Sequence, residues 1–378
     1  MSYCINPWCL RPNDPNNTQT DLCARCGSQL RLQNRYRVTR VLSESSGFAV
    51  IYEISDGQIL QTLKVLKPKH NGNLRAVELF KQEARVLSQL DHPGIPKVEP
   101  NSLFEYYPRD KSEPLHCFVM EKIEGLNLKE WMNQQGNLLI GESRALNWLK
   151  QVAEILQVVH QQNYFHRDIK LQNLMLRPNG QLVLIDFGTV RSMAELPFPE
   201  VGSSGRVTKI SSAGYTPPEQ EKGYAVPQSD FYALGRTFVY LLTGKSLYNR
   251  VENSPIDEFQ WRELAADISP QFADFIDCLM APEPRDRPQD AREIIETVER
   301  LQQQSRGNPP DNGRRIRLGD VEMSPDSPTD VTQDCDRASL IEKLYGIRNS
   351  EFGIRNWFYR QVKTFRHWMC SFSFWIPY

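Results

Sequence analysis

The chain has 378 residues and a net charge of −1, with 45 basic against 46 acidic side chains. That balance gives no electrostatic case for bulk nucleic-acid binding. The length admits one two-lobed catalytic domain plus appendages, and no apolar run reaches the roughly 18 residues needed to span a bilayer.

Residues 1–10 lack a basic region followed by an apolar stretch, so no secretory signal is expected and the expected compartment is the cytoplasm. Paired cysteines there bind metal more often than they form disulfides. Four of the eight cysteines fall in the first 26 residues: Cys4-x4-Cys9, thirteen residues, then Cys23-x2-Cys26. Two such knuckles can close four thiolates tetrahedrally on Zn²⁺, and Gly27 permits the tight turn a knuckle needs. Pro7, Pro12, Pro15 and the Asn-rich run 13–17 mark a loop with almost no core of its own. Such a segment is expected to be ordered by the metal or not at all. The competing readings are a disordered leader with incidental cysteines and a redox Cys-x2-Cys pair, though the strand–helix context of the latter is missing.

A strand is expected at residues 38–42, a turn and returning strand from Ser43 to Tyr52, and a further strand at 59–66. Val77, Phe80, Ala84, Leu87 and Leu90 recur at three- and four-residue spacing, which predicts a helix. Residues 118–121 read as a strand, and 144–161 as an amphipathic helix with Leu146, Leu149, Val152, Leu156 and Val159 on its apolar stripe.

Residues 164–188 carry the most chemistry. His166-Arg167-Asp168 opens a loop that closes at Asn173, and the apolar runs 174–176 and 182–185 flank Asn179-Gly180, a hairpin signal. The hairpin would put Asn173 and Asp186 at its ends on one side. Two oxygen ligands so placed suit Mg²⁺, which takes few protein carboxylates beside phosphate oxygens. Asp168 lies close by as a candidate base. Residues 186–219 then form a segment rich in Ser, Thr, Gly and Pro, far longer than an ordinary connection.

A helix from Ser229 to Leu242, apolar nearly all round and stopped by Gly244, belongs in the middle of a lobe. Helices bearing Phe272, Phe275, Ile276, Leu279 and Ile294, Ile295, Val298, Leu301 complete that lobe. Residues 303–335 are polar and read as disordered. GIRN then occurs twice at a seven-residue period, and two copies cannot build a solenoid. At the end, Phe358, Val362, Phe365, Met369 and Phe372 share a helical stripe with Arg360, Lys363, Arg366 and His367 interleaved. That pattern fits a membrane-surface or partner-binding helix, or a docking tail or weakly structured terminus.

HRDIKLQN followed by DFG across a hairpin-length spacer resembles the catalytic centre of protein kinases. The resemblance implies that Asp168 orients a substrate hydroxyl and accepts its proton, that Lys170 steadies the transferring phosphate, and that Asn173 and Asp186 hold Mg²⁺. Residues 59–66 resemble the V-A-I-K strand, with Lys64 bridging the ATP phosphates and pairing with Glu83, and Thr62 against the adenine. Lys67 is a poorer candidate, because its odd spacing from Lys64 puts it on the other strand face. Leu42, Ser43, Ser45, Gly47 and Ile51 stand where the family has its glycine-rich loop. Here only Gly47 survives, serines take the first two glycine positions and one residue is inserted. Serine tolerates positive φ less well than glycine, so weakened ATP affinity or an unusual loop shape is expected.

By the same resemblance Met120 is the gatekeeper, hinge backbone from Glu121 to Ile123 binds adenine, Asp230 braces the catalytic loop, Ser212 contacts base and lysine, and Glu219 pairs with Arg287. Arg167 and Lys170 favour a protein substrate of the Ser/Thr type. Arg167 also faces the long segment, where Ser203, Ser204 and Thr208 lie beside Arg206 and Lys209 as candidate autophosphorylation sites; a constitutively ordered segment is the alternative. The cysteine context is similar to that of cyanobacterial "four-cysteine" Ser/Thr kinases.

The expected fold is therefore α+β and two-lobed, with a β-rich N-lobe and a helical C-lobe. The expected domains are a zinc-ribbon-like module at 1–34, a kinase domain at 35–302, a disordered linker at 303–340 and a flexible tail at 341–378. The expected function is a Ser/Thr protein kinase using ATP and Mg²⁺ with structural Zn²⁺. Its partners would be protein substrates and no nucleic acid, with a membrane-surface or protein contact open for the tail. The alternatives are a pseudokinase scaffold with a degraded glycine loop and a nucleic-acid-binding zinc module regulated by the kinase.

Overall fold

The computed structural model describes residues 2–45, 47–192, 212–245, 261–265 and 267–307. The candidate phosphosites Ser203, Ser204 and Thr208, the GIRN repeat and the aromatic tail lie outside these residues.

Six strands form an antiparallel sheet in the order β1-β2-β3-β4-β6-β5: β1 (Arg31–Leu32), β2 (Tyr36–Ser43), β3 (Ala49–Ser55), β4 (Leu60–Leu66), β5 (Leu103–Tyr106) and β6 (Leu115–Glu121). Helix α1 (Leu74–Gln89) begins at Asn73, whose side chain caps the first turn by accepting from the backbone N–H groups of Arg75 and Ala76. Its apolar face covers one side of the sheet, with Phe80 against Phe118 at 5.1 Å between ring centroids.

The other side of the sheet corrects the sequence reading. Side chains alternate across a strand, so Phe118 of β6 points to α1 while Leu115, Cys117 and Val119 point away from it. Those three join a second core with Ile54, Leu63 and Val65, and Ile5 and Leu32 of the cysteine segment close it. Tyr3 N–H donates to Val38 O (2.7 Å), and Tyr106 Oη donates to Gln29 O (2.8 Å). A boundary at residue 34 would cut the β1–β2 hairpin. The N-terminal segment thus covers the sheet and shares its core. Accordingly, Ile5→Ala should destabilise the whole N-lobe by about 2–5 kcal/mol, the range for emptying a buried aliphatic site. Urea denaturation measures this, and a change within about 0.5 kcal/mol, typical of surface positions, would return the segment to the status of a leader.

Below the sheet the chain continues through β7 (Leu126–Asn127), α2 (Leu128–Gln134), α3 (Glu142–Gln161), β8 (Tyr164–Phe165), β9 (Leu174–Leu176), β10 (Leu182–Leu184) and β11 (Arg191–Ser192). After these come α4 (Pro218–Glu221), α5 (Pro227–Thr243), α6 (Trp261–Leu264), α7 (Pro270–Leu279) and α8 (Ala291–Gly307). Gly125 makes the descent possible: its φ is +126°, and a Cβ there would lie 2.0 Å from Leu176 O. Helix α5 is buried along nearly its whole length, as its all-round apolarity predicts, and ends at Gly244 in the left-handed conformation. It begins at Pro227, two residues before the predicted start, since proline is well placed in a first turn. Helix α8 runs to Gly307, so a domain end at 302 falls inside it. Among the described residues no helix is long and apolar enough to cross a membrane.

Candidate active site

The catalytic loop hangs from α5. Asp230, fully buried, accepts hydrogen bonds from the backbone N–H groups of His166 (2.8 Å) and Arg167 (2.7 Å) and from His160 Nε2 (2.9 Å). Burial alone would raise the Asp230 pKa, but these donors outweigh it and keep it below the usual value. They hold Arg167 at φ +70°, a left-handed conformation unusual for a non-glycine residue. Gln220 Nε2 donates to Arg167 O (2.9 Å), and Thr189 Oγ1 donates to His166 O (2.7 Å), which ties the loop to the segments on either side. Burial keeps His166 below its ordinary pKa, and its ring meets Phe187 edge-on at 4.8 Å.

Asp168 is thereby placed at the mouth of the loop. Lys170 Nζ donates to both its carboxylate oxygens (3.0 and 2.7 Å), Ser212 Oγ donates to Oδ1 (2.6 Å), and Asn173 Nδ2 donates to Oδ2 (2.9 Å). Lys170 also reaches Ser212 Oγ at 3.1 Å. Ser212 is set in turn by Thr216, whose Oγ1 accepts from Ser212 N (2.8 Å).

β9 and β10 pair as predicted, Leu174 opposite Leu184 and Leu176 opposite Leu182. Of the turn residues only Gly180 has positive φ, so the connection is a longer loop closed by Gly180 N–H to Arg177 O rather than a two-residue Asn-Gly turn, in which both residues would be positive. Ile185 N–H donates to Asn173 O (2.8 Å), which brings Asn173 and Asp186 to the same end.

Lys64 is buried between two carboxylates. Its Nζ lies 2.7 and 2.8 Å from the Glu83 oxygens and 2.9 Å from Asp186 Oδ1. Burial works against the ammonium, but Asp186 and Glu83 outweigh it and hold the Lys64 pKa above the ordinary lysine value. In return Lys64 brings Asp186 from 3.8 down to about 2. A carboxylate with a lowered folded pKa stabilises the fold above its unfolded pKa. This contribution is therefore complete above about pH 5 and fades as pH falls toward 2. Asp186 has φ +64° and a side chain 45% exposed, ionised and open to a cation on its free side. Phe187 is buried beneath it, and a Cβ on Gly188 would come within 3.3 Å of Glu83 Oε2.

Ile51 pairs with Lys64 across β3 and β4, and Thr62 pairs with Met120 across β4 and β6, which lines these side chains along one face of the sheet toward the hinge. Glu121 N–H is taken by Lys97 O (2.8 Å) and the Glu121 carboxylate by Arg177 (2.7 Å). Leu42 and Ser43 end β2, and Ser45 and Gly47 lie in the turn that follows. Lys67 falls past the end of β4 and its Nζ bonds Glu44 O, not the Lys64 cluster. At the far side of the C-lobe, Arg287 holds Glu219 with two hydrogen bonds (2.7 and 3.1 Å), the pair expected from sequence.

The four cysteines come together as well. Their Sγ atoms all lie within 4.8 Å of one another, with Cys4 3.6 Å from Cys26 and Cys9 3.7 Å from Cys23, and none is in a disulfide. Burial raises Cys4 well above a free thiol and Cys9 to about 11. Burial also acts on Cys26, but hydrogen bonds from Ser28 and Asn6 outweigh it and bring it down to about 6. A donor set of four convergent thiols with one already favouring thiolate fits a tetrahedral metal ion.

Sequence reasoning missed Thr216, Gln220 and His160. Gln220 and His160 act through contacts with residues distant in the chain, Arg167 and Asp230, which no local pattern marks; Thr216 acts on Ser212, four residues before it.

A two-lobed fold with a lysine–glutamate pair, a braced catalytic loop and an Asp-Phe-Gly turn defines the protein kinase class. The chain belongs to that family, matching the protein kinase domain over residues 45–298. It is similar to serine/threonine-protein kinase B of Synechocystis sp. (33% identical, covering 79% of this chain and 52% of that protein) and serine/threonine-protein kinase F of the same organism (35%, covering 77% and 62%). Serine/threonine-protein kinase PknA of Nostoc sp. is 35% identical, covering 71% and 47%. The chain thus spans between 47% and 62% of the length of these relatives. Among solved structures, the Mycobacterium tuberculosis PknI kinase domain shares the fold, with a TM-score of 0.54 at 23% identity over 70% of this chain and 95% of that one.

Proposed function

We propose that the chain is an active protein kinase that phosphorylates Ser and Thr hydroxyls of protein substrates, with ATP and Mg²⁺ bound at the site and Zn²⁺ on the four cysteines. One observation carries the reading: Lys64 is closed on Glu83 at 2.7 Å with Asp186 turned toward it at 2.9 Å, so the nucleotide-holding groups are already assembled. When bound, ATP–Mg²⁺ supplies the phosphoryl group and the cation that offsets its charge.

The residues of the chain divide the remaining work. Asp168 aligns the incoming hydroxyl and accepts its proton at a carboxylate oxygen; Lys170, three ångströms or less from both those oxygens, steadies the transferring group. Asn173 Oδ1 and Asp186 would hold the metal, and the Asn173 amide N–H₂, donating to Asp168, fixes the orientation of the Asn173 side chain. The Ser212–Asp168–Lys170 triangle and the family relatives favour a Ser/Thr acceptor.

Incubation with γ-labelled ATP, Mg²⁺ and a mixed protein substrate tests the reading. Label recovered on phosphoserine and phosphothreonine is the expected result. A protein that binds ATP and transfers nothing is the pseudokinase scaffold instead.

A further inference from the structure

Serines at 43 and 45 leave the turn between β2 and β3 short of the residue that usually lets such a turn close on phosphate. The structure shows what holds it instead. Lys67 Nζ donates to Glu44 O (2.9 Å), and Lys67 N–H donates to Phe48 O (2.9 Å). His70 Nε2 donates to Gly47 O (3.0 Å), and the His70 ring stacks on Phe48 with centroids 4.5 Å apart and planes 7° from parallel. Within the turn, Ser43 Oγ and Ser45 Oγ are 2.9 Å apart in a hydrogen bond.

Both holding residues sit on one short, rigid connector. Pro68–His70 is a single 3₁₀ turn with proline at its first position. His70 N–H returns to Lys67 O (2.9 Å), and Asn71 N–H returns to Pro68 O (3.0 Å). The connector joins β4, which carries Lys64, to α1, which carries Glu83. Whatever fixes the connector to the turn therefore fixes the turn relative to the Lys64–Glu83 pair.

We propose that Lys67 and His70 are positioning residues for the nucleotide, a role that rests on the kinase reading above. They latch the carbonyls of Glu44, Gly47 and Phe48 to the connector, which fixes the backbone of these residues ahead of binding without the freedom a second and third glycine would supply. A glycine-rich turn reaches that shape on binding, because its backbone is free to do so. A turn with serines gains affinity by having the shape beforehand, since preorganisation removes the ordering penalty. The latch reaches the triphosphate only. Adenine is held by the hinge, on residues that Lys67 and His70 do not touch.

The test compares affinities for a non-hydrolysable ATP analogue with Mg²⁺ and for adenosine, by calorimetry on the full chain. Lys67→Met and His70→Ala should each weaken the ATP analogue about 5- to 10-fold, the loss of one ordinary hydrogen bond or a little more. Adenosine affinity should stay within about twofold and the melting temperature close to wild type. Lys67→Arg and His70→Gln, which keep a donor, should recover most of the loss. Unchanged affinity for the analogue in both alanine-like variants overturns the latch, and so does an equal loss for adenosine, which would mean general loosening of the lobe. A wild type that binds no nucleotide overturns the kinase reading and the latch together.

Discussion

Asp186→Asn should reduce phosphoryl transfer by about 10³-fold or more while leaving the fold intact. If Asp186 and Asn173 hold Mg²⁺ as proposed, the metal would offset several kcal/mol of charge developing in the transition state; at 1.36 kcal/mol per decade, that is about a thousandfold. The fold should survive for a local reason. Asp186 sits at φ +64°, and asparagine occupies the left-handed region at least as readily as aspartate. Lys64 keeps Glu83 at 2.7 Å as its charge partner, so no buried cation is abandoned. Single-turnover rates beside a thermal melt make the measurement. Activity within threefold of wild type would remove Asp186 from the metal site, and a collapsed melt would show that its role is structural.

The second large effect belongs to the cysteines. The purified chain should hold about one zinc per molecule, and Cys23→Ser with Cys26→Ser should lose it, because two of four thiolates make no tetrahedral site. The shared core adds a consequence that separate domains would not have. Ile5 and Leu32 close the outer face of the N-lobe sheet, so loosening the knuckles that flank them should lower the melting temperature by several degrees, since anything bound only to the native state stabilises it. Metal analysis and calorimetry on the same samples decide it. Full zinc retention in the double variant would place the ligands elsewhere; loss of zinc with an unchanged melt would show that the metal and the sheet are independent.

The cysteine segment also marks where local reading stopped. Its prolines, asparagines and four cysteines read as a metal-ordered loop; the four Sγ atoms do converge, and the segment also shares a core with the sheet. Its place in the molecule was legible elsewhere, in β6. Leu115, Cys117 and Val119 on one face and Phe118 and Met120 on the other are apolar, and a strand covered on one side only would alternate. α1 accounts for one face; the other had to be covered by something, and Ile5 and Leu32 cover it. The glycine-loop substitution read as a loss for a similar reason. Nothing in Lys67-Pro-Lys-His70 signals a partner about 23 residues back, because hydrogen bonds from side chains to distant carbonyls follow no period.

What the sequence determined alone was the chemistry with short-range spacing. His166-Arg167-Asp168, Asn173 and Asp186 lie within one loop and one hairpin, so their grouping follows from turn geometry and strand pairing. The helices α1 and α3 follow from apolar period, α5 from its all-round apolarity and terminal glycine, and the knuckles from cysteine spacing. Among contacts that close over long distances in the chain, Lys64 on Glu83, Asp230 under the catalytic loop and Ser212 on Asp168 are expected only from the family resemblance and not from local spacing. Lys64 on Asp186, Ile5 against the sheet, and Lys67 and His70 on the serine-bearing turn were decided by tertiary structure alone. Burial supplies the reason. Removing water forces each charged or polar group to find its partner wherever packing has placed one, and packing is settled by the whole chain rather than by any stretch of it.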